Sequence, residues 1–299
     1  MSLRPILYYQ PLFNQYVGLR RYTLSVFHFS SLFLWKDYFE FDFQVIDDYL
    51  CVFAKHEFGT FLYLPPLGRE LNGSIVSQCF DELNRRNSKR SFSRIENVSQ
   101  EDLKFFDSQK YRAFKKSQEY VYRKEDLTRL KGNRFKSKRS SFNQFVKGNN
   151  YSIRPFEKSL KEDCLSLFQR WARNRKGITE DQVYNAMLEE NEHTNSLIFE
   201  NFDELGLRGL VVCVDQKPEA YTFGYPLNDE VFCVLVETTN LDIKGLSVFI
   251  FSRFCADESL SQYQYINVMD DFAMENIAKT KQSFHPTALN PSYVVTERE

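Results

Sequence analysis

The residues whose types and spacing best suit anion binding lie in a basic stretch from Leu130 to Asn150. Glycines at 132 and 148 stand just outside a helix predicted from Arg134 to Lys147, where glycine commonly opens or ends a helix. The stretch therefore predicts one short basic helix whose chemistry would be the binding of a negatively charged group.

One basic residue of this helix stands among its apolar residues. At 100° per residue, one stripe carries Phe135, Phe142 and Val146, and Arg139 falls inside that stripe. Burying a guanidinium without a partner costs several kcal/mol. We therefore expect Arg139, with Lys138 beside it, to hold an anion. The alternative is a basic helix face that is only solvated.

Two acidic positions follow predicted strands. Glu237 ends a strand predicted from Val231 to Thr238 that is otherwise apolar, and Asp270 and Asp271 follow a strand predicted from Tyr263 to Met269. Both strands would deliver their carboxylates to one side of the sheet, where a carboxylate can act as a general base or orient an ammonium group. The alternatives are a solvated strand-end glutamate and an N-cap of the last helix.

The elements that position these residues follow one order, which the first half shows more loosely than the second. The first half is predicted to have a helix from Thr23 to Lys36, a hairpin turn at Asp47 and Asp48, and an extended segment from Lys110 to Tyr122. The second half is predicted to have helices at Ser159–Asn174, Thr179–Glu192, Gly245–Cys255 and Met274–Lys281, and strands at Ser196–Asn201, Gly209–Val214, Ala220–Tyr225, Val231–Thr238 and Tyr263–Met269.

This element order is that of an acyl-CoA N-acyltransferase (GNAT) unit. We predict an α/β fold of the α+β kind, with two tandem GNAT-like domains at residues 1–122 and 123–299. Each domain would hold a mixed, mainly antiparallel sheet flanked by helices.

The loop before the helix at Gly245 is the next candidate site, because helix N-termini bind phosphates. N-acyltransferases carry Q/R-x-x-G-x-G/A there, whereas Asn240 to Ser247 holds one glycine and lacks the leading Gln or Arg. We predict no cofactor, and coenzyme A is an alternative with an incomplete signature. Lys244 can still meet a phosphate, and so can Lys281; alternatively, Gly245 only starts its helix and Lys281 only complements a helix dipole.

Charge is distributed unevenly along the 299 residues. The chain carries a net charge of -1, but Lys104 to Arg154 holds fifteen lysines and arginines against four acidic residues, a local charge of +11 that leaves -12 elsewhere. Such a band indicates a local anionic ligand and fits transfer RNA better than coenzyme A.

Other classes of chemistry lack their residues. The four histidines share no metal spacing, no CxxC pair is present, and the P-loop and GxGxxG patterns are absent. The six cysteines stand mostly in apolar runs and are predicted to be reduced core thiols. Without a signal-peptide pattern or a membrane-length apolar run, the chain is expected to be cytoplasmic.

Several of these residues together resemble the phosphatidylglycerol lysyltransferase C-terminal-domain family. The resemblance is carried by Leu127 to Gly132, Lys138, Arg139, Asn143, Glu237, Gly245, Asn267, Asp270, Asp271 and Lys281. It implies a tandem GNAT-like fold related to enzymes that move an amino acid from aminoacyl-tRNA to an amine or a lipid hydroxyl. It also implies phosphate or substrate contacts for Asn143 and Asn267.

The chain departs from the family pattern at Ser140, Phe251, Ala278 and the pair Phe272 and Ala273, where the family has Leu-Gly. We predict an aminoacyl- or acyltransferase in which Lys138 and Arg139 hold the donor and Glu237 or Asp271 handles the acceptor proton. The alternative is a catalytically inactive relative that binds a small anion or a protein partner.

Overall fold

The computed structural model describes residues 5–176 and 192–298, which form two compact units. The first unit comprises Met1–Tyr120, Met269–Lys279 and Ala288–Glu299, and the second comprises Val121–Val268 and Thr280–Thr287. This division falls two residues before the predicted domain boundary. It also places two late segments of the chain with the first unit.

The first unit is built on a mainly antiparallel sheet. Its strands are β1 (Glu40–Ile46), β2 (Tyr49–His56), β3 (Gly59–Leu62), β4 (Arg94–Ser99), β5 (Tyr111–Arg123) and β11 (Ala288–Glu297). Their order is β1-β2-β3-β4-β11-β5, and only β3 and β4 pair in parallel. The strand latest in the sequence therefore lies between β4 and β5, which are consecutive strands of the chain.

Helices α1 (Gln10–Val17), α2 (Phe29–Leu34) and α3 (Gly73–Arg86) complete the first unit. The Asn72 side chain caps α3 by accepting from the N–H groups of Ser74 and Ile75 at 3.0 and 3.1 Å. The core-facing side of α3 repeats at helical spacing and packs with residues of β2, β3 and β4 in one cluster. Burial of this stripe holds α3 against the sheet.

The second unit contains five further strands. Its strands are β6 (Tyr151–Pro155), β7 (Arg208–Val214), β8 (Lys217–Pro226), β9 (Val231–Thr239) and β10 (Tyr265–Asn267). The order β10-β9-β8-β7-β6 is antiparallel except for the pair β9 and β10, and the last three residues of β5 pair with β10. A parallel pair next to antiparallel strands gives the mixed sheet predicted from the sequence.

Helices α4 (Lys124–Arg129), α5 (Lys136–Gly148), α6 (Lys161–Lys176), α7 (192–200) and α8 (Leu246–Cys255) belong to the second unit, and α9 (Glu275–Gln282) follows β10. Eight of the ten residues of α8 are buried, so this helix lies inside the fold. α5 and α4 both pack against α8.

Several predicted elements are confirmed. Asp47 and Asp48 have φ of 46° and 65°, the values that a two-residue hairpin turn requires, and they join β1 to β2. The extended segment predicted from Lys110 to Tyr122 is β5, and the helices predicted at Ser159 and Gly245 are α6 and α8.

Other predictions are wrong or lie outside the described residues. The strand predicted at Ser196–Asn201 is helix α7, because its apolar residues are also compatible with one helix face. The single helix predicted at Thr23–Lys36 is a 3-10 turn at Ser25–Phe27 followed by α2. The helix predicted at Thr179–Glu192 falls almost wholly in residues 177–191, outside the described chain.

All six cysteines are buried free thiols, as predicted. Within residues 5–176 and 192–298, no helix has the length and apolar character needed to cross a membrane. In the same residues, no group of three or more His, Cys, Asp or Glu side chains is arranged to hold a metal ion.

Candidate functional site

Strands β9 and β10 pair over only part of β9. Only Val231, Phe232 and Cys233 of β9 pair with β10, although β9 continues to Thr239. A β-bulge lies just past the paired residues, where the register with β8 shifts. β10 ends at Asn267, so the second half of β9, past the bulge, pairs with no described strand on this side. This is the part of the sheet in which GNAT folds have their cleft.

Gly224 makes the bulge possible. A Cβ at this position would lie closer than 3.0 Å to the carbonyl oxygen of Cys233 on β9, so no larger residue fits without a shift of the strands. The approach of two backbones explains why glycine stands in the middle of a buried strand.

Glu237 lies on β9 beyond the bulge. Its side chain reaches solvent, yet desolvation by the surrounding protein raises the pKa of its carboxyl to about 8. Because the side chain is exposed, solvent opposes part of this desolvation. No described residue forms a hydrogen bond or ion pair with the Glu237 carboxyl.

Glu237 interacts electrostatically with Cys255, the last residue of α8. Burial, and next the charge of Glu237, raise the pKa of the Cys255 thiol, which places the carboxyl within electrostatic range of this helix. One turn earlier on α8, the Phe251 ring contacts Tyr122 of β5 and Phe284, with ring centroids 6.4 and 5.1 Å apart. These three rings form an aromatic wall at α8.

Lys138 contacts this aromatic wall from α5. Its Nζ lies 3.9 Å from the centre of the Phe284 ring, a cation–π contact, and burial lowers the pKa of the ammonium group. The side chain is half-buried, and no described carboxylate pairs with it. Lys138 is therefore a cation whose charge is available to a ligand.

Arg139 binds the backbone. Its Nη1 donates to the carbonyl oxygens of Leu130 and Gly132, the latter at 3.0 Å. Leu130 ends α4 with φ of 46°, so the guanidinium fixes the turn between α4 and α5. The sequence predicted an anion as the partner of Arg139, and in the structure two backbone carbonyl oxygens are its partners. The Arg139 side chain is half-buried.

The buried face of α5 differs from the predicted stripe. Phe135 and Phe145 are fully buried, whereas Phe142 and Val146 are half-buried. Phe145 packs on Phe249 of α8 with ring centroids 4.4 Å apart. The core-facing side of α5 is thus centred closer to Phe145, which the predicted stripe did not include.

α5 also lies against the start of α8. Gly245 has φ of 83°, and a Cβ there would lie closer than 3.0 Å to the carbonyl oxygen of Ser141. Gly245 therefore allows a close contact between two helices at the point where a coenzyme A pyrophosphate was considered. Lys244 beside it is exposed, and so is Asn143 on α5.

Lys281 and Asn267 lie at the end of β10. The Lys281 Nζ donates to the carbonyl oxygen of Val268 at 2.6 Å, and its own carbonyl accepts from the Tyr122 hydroxyl at 2.8 Å. Asn267 is completely buried. Lys281 thus fixes the place where the chain leaves β10, next to the buried Asn267.

Asp271 belongs to the first unit. Its Oδ2 accepts from the Tyr120 hydroxyl at 2.5 Å, and its Oδ1 accepts from the Ala273 N–H at 3.0 Å. These bonds hold a loop in which Met269, Phe272 and Ala273 all have positive φ. Asp271 thus orders the turn before α9, a role similar to the helix cap that was its alternative interpretation. Asp270 is half-buried.

The predicted site residues fall in both units. Lys138, Arg139, Asn143, Glu237, Lys244, Gly245, Asn267 and Lys281 lie in the second unit, whereas Asp270 and Asp271 lie in the first. Sequence reasoning missed Phe284 and Tyr122, which contact Lys138 and Lys281. The available sequence signal for Tyr122 was an aromatic residue at the end of a segment predicted to be extended.

Comparison with known proteins gives the same architecture. A conserved protein of unknown function from Bacteroides thetaiotaomicron matches with a TM-score of 0.86 and 23% identity, covering 100% of this chain and 99% of that one. The structure titled L-PGS from Bacillus licheniformis matches with a TM-score of 0.68, 13% identity and coverage of 96% and 91%. FemX matches with a TM-score of 0.65, 6% identity and coverage of 97% and 96%. No curated protein matches the sequence significantly.

The fold is that of tandem GNAT-like acyl- or aminoacyltransferases, which confirms the predicted fold class. The chain belongs to the family described as phosphatidylglycerol lysyltransferase, C-terminal, whose profile matches residues 19–296. The resemblance found in the sequence is thereby confirmed.

Proposed function

We propose that this protein transfers an aminoacyl or acyl group from a phosphate-bearing donor, aminoacyl-tRNA in the first place, to an amine or hydroxyl acceptor. The observation that carries the proposal is Glu237, an accessible carboxyl with no described partner and a pKa raised to about 8, on the half of β9 that does not pair with β10. Perturbed carboxyls in clefts favour proton transfer near neutral pH.

In the proposed reaction, Glu237 accepts the proton of the acceptor N–H or O–H as that atom attacks the donor carbonyl. The new amide or ester bond forms, and the bond between the carbonyl carbon and the donor oxygen breaks. The proton passes from Glu237 to the departing hydroxyl, so the carboxyl returns to its starting state. Asp271 is the second candidate for the base that takes this proton, but its Oδ2 already accepts a hydrogen bond from the Tyr120 hydroxyl.

The donor contacts are proposed on α5. Lys138 offers an ammonium without a described carboxylate partner, and the surrounding sequence carries a local charge of +11. Arg139 would position α5, with Asn143 and Lys244 adding polar contacts from exposed positions. The contact of Ser141 with Gly245 favours a donor other than coenzyme A, because α5 lies at the helix start.

The test combines tRNA binding and single-turnover transfer. Affinity for lysyl-tRNA and alanyl-tRNA should fall steeply between low and physiological salt, as phosphate contacts require. Glu237→Gln should bind equally well and lose about 100-fold or more in transfer to a hydroxylamine acceptor. Glu258→Gln, at an exposed position on the same unit, is the matched control and should retain activity. Unchanged transfer by Glu237→Gln would remove the proposed base.

A binding protein without turnover is the second candidate. It is favoured by Arg139, whose Nη1 is engaged by backbone carbonyls. Salt-dependent tRNA binding with no transfer for any aminoacyl group would support this candidate over the transferase.

A further inference from the structure

β5 has one edge without a strand partner over most of its length. On one side β5 neighbours β11, and on the other side β10 pairs only with Val121 to Arg123. Along this second edge, the Tyr120 N–H donates to the Met269 carbonyl at 3.2 Å. From Arg112 to Gln118, no described strand continues the sheet. This segment is called the open edge of β5.

The side chains of the open edge are accessible. All five residues from Arg112 to Lys116 are exposed, and Phe114 is 51% exposed. A purely protective edge carries charges or proline, whereas an exposed phenylalanine adds apolar contact area. The Arg112 guanidinium lies 5.2 Å from the centre of the Phe114 ring.

The open edge carries excess positive charge. Lys115 donates to the Gln118 side chain at 2.6 Å and Arg112 to Thr296 at 3.1 Å, so neither has a described carboxylate partner. Lys116 pairs with Glu96 at 2.6 Å. Because strand side chains alternate, Lys115 and Phe114 lie on opposite faces, so a strand with acidic residues on one face and apolar residues on the other complements this edge.

We propose that the open edge of β5 binds an extended acidic peptide by strand addition. Backbone hydrogen bonds to the edge would supply affinity, Lys115 would select acidic side chains on one face, and Phe114 would contact apolar ones on the other. A second copy of this chain fits less well, because edge-to-edge pairing would place lysines and arginines opposite one another. The inference does not rest on the transferase proposal.

The probe is a fluorescent capped peptide of about seven residues that alternates glutamate with valine or threonine. Binding to the full chain is measured by anisotropy, and amide hydrogen exchange locates it. The expected result is slower exchange in residues 112–118 and weaker binding of the same peptide with lysine in place of glutamate. A peptide N-methylated at alternate residues should not bind, since it cannot complete the ladder.

Lys115→Glu should weaken binding about fivefold, whereas Lys147→Glu, an exposed charge reversal on α5, should leave it unchanged. The proposal is overturned by absence of binding at about 1 mM peptide, by equal binding of the basic peptide, or by slowed exchange elsewhere only. A sedimentation result showing a dimer whose exchange protection covers residues 112–118 would assign the edge to a second copy instead.

Discussion

The carbonyl oxygen of Ser141 on α5 and the Cα of Gly245 before α8 lie so close that a Cβ at Gly245 would come within 3.0 Å of the oxygen. The neighbour in this contact is backbone, which cannot rotate away as a flexible side chain would. The contact fixes where the basic helix lies on the buried helix of the second unit.

Gly245→Ala should therefore destabilise the protein by about 3 kcal/mol, from overpacking together with a left-handed backbone that disfavours a Cβ. Gly148→Ala is the matched control, because a Cβ there meets no atom within 4 Å. It should be neutral or stabilising by up to about 1 kcal/mol. Urea unfolding measures both, and similar losses in the two variants would contradict the contact.

Ala273→Gly should stabilise the loop that holds Asp271. Ala273 has φ of 57°, a conformation that is unfavourable for alanine and free for glycine. After the greater unfolded-state entropy of glycine is subtracted, we expect a gain of about 0.5–1 kcal/mol. Ala278→Gly, in the middle of α9, should instead lose about 1 kcal/mol. A loss at both positions would refute the assigned backbone.

Glu237 should give the stability a defined pH dependence. Desolvation raises the pKa of its carboxyl from an ordinary value of 4.5 to about 8. Between these pH values the folded chain therefore binds more protons than the unfolded chain. Stability contributed by the protonated carboxyl is present below about pH 4.5 and is lost as pH rises through 8.

Glu237→Gln removes this titration, so its free energy of unfolding relative to the wild type should rise between pH 5 and pH 9. Denaturant unfolding at both pH values measures the difference. Glu258→Gln should show no such trend, and a parallel pH profile for Glu237→Gln and wild type would show that the carboxyl has an ordinary pKa.

Lys138 and Arg139 are neighbours with different expected roles. Arg139→Met should cost about 1–2 kcal/mol in stability, because two carbonyl groups lose a charged donor. Lys138→Met should stay within about 0.5 kcal/mol of the wild type, because no described carboxylate loses a partner. Lys138→Met should instead weaken tRNA binding and flatten its salt dependence, as measured by filter binding. A stability loss for Lys138→Met, together with weaker tRNA binding for Arg139→Met, would exchange the two roles.

Local rules predicted the parts of the fold that local chemistry determines. The hairpin at Asp47 and Asp48 followed from residues that tolerate positive φ, and β5 followed from its extended pattern. α7 was wrongly predicted as a strand because a short apolar segment suits both periods. The pairing of β11 with β4 joins residues about 200 positions apart, which no local pattern specifies.

The candidate site was predictable only by residue type. Glu237 was identified from its place at the end of an apolar strand, but its missing partner and raised pKa depend on the surrounding fold. Arg139 was correctly placed on a basic helix, whereas its carbonyl partners lie in the preceding turn, whose left-handed Leu130 carries no glycine signal.

The position of β11 between β4 and β5 of the sheet affects how the protein folds during synthesis. The residues that begin this sheet leave the ribosome first, but β4 and β5 stay unjoined until Ala288–Glu297 has been made. Residues 121–268, which make up most of the other unit, emerge before that strand. The unit whose first strands are synthesised earlier is therefore completed last. A nascent chain halted before β11 would expose two unpaired strand edges to chaperones.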